Sequence, residues 1–292
     1  MNQKILDGWN YHDTETERLT AELKEWAGEL TCDDTLPFLK LAIHTLGEHQ
    51  GRWHELNEVV ESMNHHDQAY RHAVLAVSYF MTDRGLQAQS EELSYMKSGD
   101  SLLAYFEVKL LMVRALVFSG QYPSANELYQ SVFSVIPADS AQPDFLRQIA
   151  IICNTLANEL MSVADRTDSV RELMKASAFH SLMYWSQCGN WVNRERAFYQ
   201  LSLVHLELGE AGQAVEFAQE GIHVIEANGN EPVDEAFLRL VLARAFLKSG
   251  RSGEAEQALS QADQLASQWQ DDSLTDWYQE ERTKLEMEAQ PA

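Results

Sequence analysis

The sequence predicts an all-α protein built from paired helices, and three observations predict it. Its 292 residues include only six prolines and fourteen glycines, while Leu, Ala and Glu, all compatible with helix, dominate. Apolar residues recur at helical spacing almost everywhere, as at Leu19, Leu23, Trp26 and Leu30, which share one face. Glycines punctuate these runs at near-regular intervals: Gly51 to Gly85 is 34 residues and Gly85 to Gly120 is 35.

Taken in order, the N-terminal stretch "MNQKILDGWNYHD" has no uninterrupted apolar region, so no secretory leader is expected. A first helix is expected over residues 14–30, with Asp13 as its N-cap, and Asp100 is read as the N-cap of a later helix. The apolar run Ser101 to Phe118 carries Glu107, Lys109 and Arg114, which are costly in hydrocarbon, so it reads as a buried helix. Pro123, Pro143 and Pro232 stand where first-turn prolines belong, and Gly51, Gly85, Gly120, Gly209 and Gly250 end helical runs. About fourteen helices result. The last, over 272–288, places Leu274, Trp277, Tyr278 and Leu285 on one apolar face, as a cap on the open end of a helical stack requires.

The segments around three of the glycines repeat: "LMVRALVFSGQYPSANELYQSVFSVIP", "AFYQLSLVHLELGEAGQAVEFAQEGI" and "LRLVLARAFLKSGRSGEAEQALSQA". Each resembles the tetratricopeptide repeat (TPR). In the first, Met112 and Leu116 face the partner helix, Ala125 is the small residue where the helices cross, Tyr129 fills the gap to the next unit and Pro137 ends the motif. The equivalents are Leu201, His205, Ala214 and Ala218, then Leu242, Phe246, Ala255 and Leu259. Units around Gly51 and Gly85 match less closely, with Gly47 where the family has an aromatic and His44 where it has a small residue. A sixth unit lacks the glycine, but Leu156, Ala157, Leu160, Ser169, Leu173 and Ala176 fit its frame around a turn near Ala164. The resemblance covers roughly residues 34 to 270. Longer spacings in the second half make its helices longer than the family's. In this they resemble the sensor segments of maltose-regulon-type transcription activators and of bacterial signalling proteins carrying a diguanylate cyclase domain.

The predicted fold is thus a right-handed superhelical TPR-like solenoid of about six helix-turn-helix units, with turns near 51, 85, 120, 164, 209 and 250 and an extra helix at each end. It is read as a single repeat domain over 1–292. Ala138 to Pro143 is the only candidate hinge, and it is read as a loop.

A formal net charge of −23 disfavours nucleic acid or an anionic bilayer as partner. Cys32, Cys153 and Cys188 are an odd, scattered trio without a CxxC, so neither a disulfide framework nor a zinc ribbon is indicated, and a reducing cytoplasm fits. Neither a metalloprotease HExxH, a nucleophile elbow, a dinucleotide fingerprint nor a P-loop is present, so a non-enzymatic protein without cofactor is expected.

Six of the ten histidines fall between His44 and His72. On an α-helix, His44 and His49 would lie about 140° apart and would not share a ligand easily. His49 and His72 would face inward near opposite ends of adjacent helices, roughly 15 Å apart. His65, His66, Asp67 and His72 read as a polar turn, so no metal site is expected in this stretch.

In the TPR family the first helix of each unit lines a concave surface that binds peptide segments. Carried onto this sequence, the resemblance implies a groove of Tyr79, Arg114, Phe118, Asn154, Asn158, Arg196, Tyr199, Arg244 and Lys248. Basic, amide and aromatic residues suit a carboxylate-bearing ligand. Charge reversal at Arg114 and Arg244 is expected to abolish partner capture with little change in melting temperature. The function expected is a protein-interaction scaffold binding an extended, acidic segment. The alternative is a ligand- or protein-sensing regulatory segment controlling an output domain beyond residue 292, and the third is a metalloprotein using the His44–His72 stretch.

Overall fold

In the computed structural model, residues 2–64, 68–135 and 142–289 are described, the last four by backbone alone. The array expected from the sequence is divided into two compact units, Met1–Pro137 and Ala138–Ala292. The described residues of the first unit form α1 (Asn2–Tyr11), α2 (Thr16–Trp26), α3 (Cys32–Ala42), a π-helical segment (Ile43–His49) continuing α3, α4 (Trp53–Glu61), α5 (Tyr70–Met81), α6 (Gly85–Met96), α7 (Ser101–Phe118) and α8 (Tyr122–Ser134). Those of the second form α9 (Pro143–Met161), α10 (Asp168–Cys188), α11 (Trp191–Glu207), α12 (Ala211–Asn228), α13 (Pro232–Lys248), α14 (Ser252–Ala266) and α15 (Asp272–Ala289). Consecutive helices pack as pairs, α5 with α6 and α7 with α8 in one unit, α9 with α10, α11 with α12 and α13 with α14 in the other.

One backbone device closes most of these pairs. Gly51, Gly120, Gly209 and Gly250 have φ between 64° and 76°, and Asp83 has φ 56°. Left-handed backbone at the residue after a helix lets two amides turn back onto otherwise orphaned carbonyls. Thus Gly120 N–H donates to Val117 O and Gln121 N–H to Leu116 O; the same two bonds recur from Gly209 and Glu210, from Gly250 and Arg251, and from Asp83 and Arg84. The residue that follows opens the next helix in nearly one conformation: Arg84 (φ −99°, ψ 58°), Gln121 (−88°, 53°), Glu210 (−92°, 59°) and Arg251 (−99°, 60°). Five residues beyond each turn comes the alanine of the helix crossing, Ala88, Ala125, Ala214 or Ala255, all buried. Its single methyl lets the two backbones approach, and larger neighbours such as Met112, Leu116, Leu242 and Phe246 fill the flanks.

Gly85 does not end a helix as expected, because Asp83 takes the left-handed position and Gly85 opens α6. Pro137 and the turn residues His65, His66 and Asp67 lie outside the described residues. The α9–α10 turn has no left-handed residue; instead the Arg166 guanidinium donates to Met161 O at 3.0 Å, and the Thr167 hydroxyl caps α10 by accepting from Val170 N–H. A six-residue connection therefore replaces the tight turn.

Asp100 caps α7 as expected, accepting from Leu102 N–H and Leu103 N–H at 2.9 and 3.1 Å. Asp13 does not cap: Glu15 occupies that place before α2, and an additional helix, α1, precedes it. Pro123, Pro143 and Pro232 all sit in first turns. No helix among the described residues is long and apolar enough to cross a membrane. At the C-terminal end Tyr278 and Leu285 of α15 are buried, and the Tyr278 hydroxyl and Arg282 Nε donate to Asp263 Oδ1 at 2.8 and 2.9 Å.

The turn makes opposite predictions for two substitutions. Gly120→Ala forces a Cβ into left-handed backbone and is expected to cost about 1–2 kcal/mol. Asp83→Gly relieves the same penalty and is expected to stabilise by up to about 1 kcal/mol. Urea unfolding of the full chain, read by circular dichroism, measures both.

Candidate functional site

In the first unit the chain departs from α-helical register. Residues 43–49 are wound with the wider i→i+5 pitch, and the closing turn is correspondingly one residue wider. Gly51 N–H donates to Gly47 O and Arg52 N–H reaches back to Leu46 O at 2.7 Å, six residues rather than the five spanned elsewhere. Gly47 supplies the room, because a Cβ there would overlap the Trp53 ring of α4. Trp53, 6% exposed, fills this region from the neighbouring helix, where the family resemblance places an aromatic at position 47 itself.

The wider pitch corrects the expectation that His44 and His49 diverge. At five residues' separation an i→i+5 helix brings side chains nearly into line, and the two imidazole centroids are 4.2 Å apart. His12, in the turn after α1, joins them at 5.1 and 5.3 Å. Two rings are fixed from outside, His12 by Trp9 O at 2.7 Å from Nδ1 and His44 by Glu48 Oε2 at 2.7 Å from Nδ1, while Asp13 Oδ1 lies 3.1 Å from His49 Nδ1. Trp9 lies edge-on to His12 and Phe118 stacks on His49 at 5.6 Å. Burial first, then the neighbouring His44, lowers the pKa of His49, while Asp13 opposes them. His72 Nδ1 lies 2.6 Å from Glu91.

Arg114 belongs to this region, but it is engaged. Its terminal nitrogen lies 3.1 Å from Glu48 Oε2, whose side chain is 1% exposed. Tyr79 is buried, its hydroxyl donates to Glu61 at 2.6 Å and Arg84 lies over its ring, so it packs rather than lining an open surface.

In the second unit Asn154, Asn158, Arg196 and Tyr199 line one cleft of about 520 Å³, together with Gln200, Ile151, Trp185, Asp234 and Trp277. Three amides form a ladder across it. The side chain of Asn154 donates to Gln200 Oε1 at 2.9 Å, and Gln200 Nε2 donates to Asn154 O at 2.6 Å and to Asn158 Oδ1 at 3.0 Å. Arg196 Nε donates to Asp234 at 2.8 Å and lies 3.6 Å from Glu195. Arg244 stands apart from the cleft lining; it is 8% exposed, with a nitrogen 3.8 Å from Glu207, and Lys248 is exposed at the end of α13. Arg114 and Arg244 each face a carboxylate in a half-buried or buried setting, so charge reversal at either is expected to lower stability as well as partner capture.

Glu195, Gln200, Asp234 and Trp277 carried no motif signal. Glu195 is fully buried with no donor directed at either oxygen. Burial, followed by a hydrogen bond to Asp234 and that carboxylate's charge, raises its pKa to about 9. The absence of a donor and the bond to Asp234 agree once Glu195 itself carries the proton and donates it. Cys188, near Trp185, has its thiol pKa raised chiefly by burial, opposite to a reactive cysteine.

Neither a family model nor a curated protein matches the chain. Among solved structures it is similar to BtubC (BKLC) from P. vanneervenii, at 14% identity over 87% of this chain and 92% of that one, TM-score 0.44. It is also similar to a putative kinesin light chain with nearly identical TPR-like repeats from Podosopora anserina, at 17% identity over 71% of this chain and 99% of that one, TM-score 0.47. The paired helices, left-handed turns and crossing alanines described above are what make the fold TPR-like.

Glu195 gives a pH prediction. Its folded pKa is raised above the ordinary 4.5, so its contribution is fully present below that value and is lost as pH rises through about 9. Glu195→Gln keeps a donor without the ionisable proton. It is expected to remove this component of the alkaline decline and to be more stable than the parent at pH 9 by about 1–3 kcal/mol. Denaturant unfolding at pH 6 and pH 9 measures the difference.

Proposed function

We propose that the chain is a non-enzymatic interaction scaffold, and that the cleft of its second unit holds an extended segment of another polypeptide. The observation that carries this reading is the amide ladder of Asn154, Asn158 and Gln200, set between the apolar surfaces of Ile151, Trp185 and Trp277. Side-chain amides offer both donors and acceptors, which matches the alternating groups of an extended backbone. Flat indole area beside them adds contact at small entropic cost. Trp277 is 48% exposed and lies 4.2 Å from the Phe237 ring, so a large apolar surface is held in place at the cleft edge.

An acidic residue in the segment fits Arg196. Its side chain is 60% exposed and its contacts with Asp234 and Glu195 both run through Nε, which leaves the terminal nitrogens to approach a carboxylate. Arg244 contributes less to such a ligand because Glu207 already faces it.

The test is an array of synthetic decapeptides of extended-favouring sequence, carrying a central Asp, Glu, Asn or Lys, probed with the full chain. Acidic peptides are expected to bind best, with Arg196→Ala weakening them about tenfold, worth about 1.4 kcal/mol, and Asn154→Ala with Asn158→Ala weakening all peptides. Binding that both variants leave unchanged, or no binding to any peptide, contradicts the proposal.

A further inference from the structure

The histidine cluster belongs to the first unit and is unused by the scaffold reading. One coordinating nitrogen from each of His12, His44 and His49 lies within 4.8 Å of the other two. We propose that these three imidazoles, with the Asp13 carboxylate, bind one divalent cation of the zinc class.

Four features make the arrangement a site rather than a crowd of rings. First, the outer nitrogens of His12 and His44 are held by oxygens, Nδ1 of His12 by Trp9 O and Nδ1 of His44 by Glu48. Those contacts select the tautomer in which Nε2 keeps its lone pair, the arrangement that orients metal-binding histidines. Second, Asp13 Oδ1 lies 3.1 Å from His12 Nε2 and 3.1 Å from His49 Nδ1. Bonds of about 2.0–2.1 Å to a tetrahedral cation give ligand-to-ligand edges of about 3.3–3.4 Å, so the carboxylate is near ligand spacing to His12 and His49, while the group already converging is the three imidazoles. Third, Glu48 is buried, its Oε2 bridges His44 and Arg114, and its Oε1 has no hydrogen-bond partner. This places a fixed anion behind the ligand shell. Fourth, Trp9 packs on His44 and Phe118 on His49, which restricts the ring orientations.

The ligands come from two places in sequence, His12 and Asp13 from the turn after α1 and His44 and His49 from the π-helical segment. A bound cation therefore ties the N-terminal helix to the first helix pair. Three neutral imidazoles and one carboxylate favour Zn²⁺, Co²⁺ or Ni²⁺ over the harder Mg²⁺ and Ca²⁺.

The experiment is calorimetric titration of the chelator-stripped full chain with Zn²⁺, paired with Co²⁺ absorption spectra and with circular dichroism of every variant. One ion per chain is expected, with Kd below about 1 μM, four-coordinate Co²⁺ bands and a Zn²⁺-dependent rise in Tm. His12→Ala and His49→Gln are each expected to weaken binding by at least about 100-fold, while the double variant His65→Ala with His66→Ala binds as the parent does. His12 lies in a turn outside any helix, so its substitution leaves a folded chain to test if His49→Gln does not. Absence of a stoichiometric signal overturns the proposal. So does binding that survives His12→Ala or disappears with the His65 and His66 substitutions.

Discussion

Most of the helix pairs depend on a reversal in which one residue adopts left-handed backbone and two amides recover the carbonyls left open at the helix end. At Asp83, Gly120, Gly209 and Gly250 the reversal spans the same number of residues and hands the chain to the next helix at nearly the same angles. The crossing alanines then fall at a fixed distance from it. Packing in each unit follows from that repetition: the turn sets which faces meet, the alanine sets how closely, and the flanking Leu, Met and Phe side chains fill what is left.

Around Gly51 the reversal is the same in kind but wider by one residue. The extra residue is taken up by the π-helical segment, which Gly47 permits by leaving space for Trp53. Two histidines that an α-helix would send to different faces are thereby brought ring to ring, within reach of His12. Arg114 and Phe118, residues that the family resemblance assigns to the groove, are drawn to the same place, one onto Glu48 and the other onto His49.

The pairing of helices was legible in the sequence because glycines, prolines and small crossing residues act locally. Gly120, Gly209 and Gly250 need no distant partner to do what they do. Asp83 carries no such mark, because aspartate tolerates left-handed backbone as one conformation among several, and Gly85, two residues on, is the residue that glycine punctuation selects. The π-helical register was illegible for a different reason. A one-residue change of pitch leaves almost no trace in apolar periodicity and depends on Trp53, six residues beyond Gly47. The cleft was half legible: Asn154, Asn158, Arg196 and Tyr199 follow the repeat frame, whereas Gln200, Asp234 and Trp277 enter it through contacts between helices.

Electrostatics follow the same division between local and distant causes. The sequence shows basic residues at groove positions, but not the carboxylates that meet them. Glu48, Glu207 and Asp234 lie 66, 37 and 38 residues from their arginines, and packing alone brings them together. The protein is strongly acidic, yet its inward-facing arginines are largely neutralised within each unit.

The inserted residue is the central claim, because the histidine cluster exists only if it is there. Scalar couplings across hydrogen bonds, measured by NMR on the deuterated full chain, report it directly. A coupling between the Arg52 amide nitrogen and the Leu46 carbonyl carbon is the predicted result. A coupling from Arg52 to Gly47 instead, matching the spacing of the other turns, would mean that residues 43–49 are ordinary α-helix and that His44 and His49 face apart.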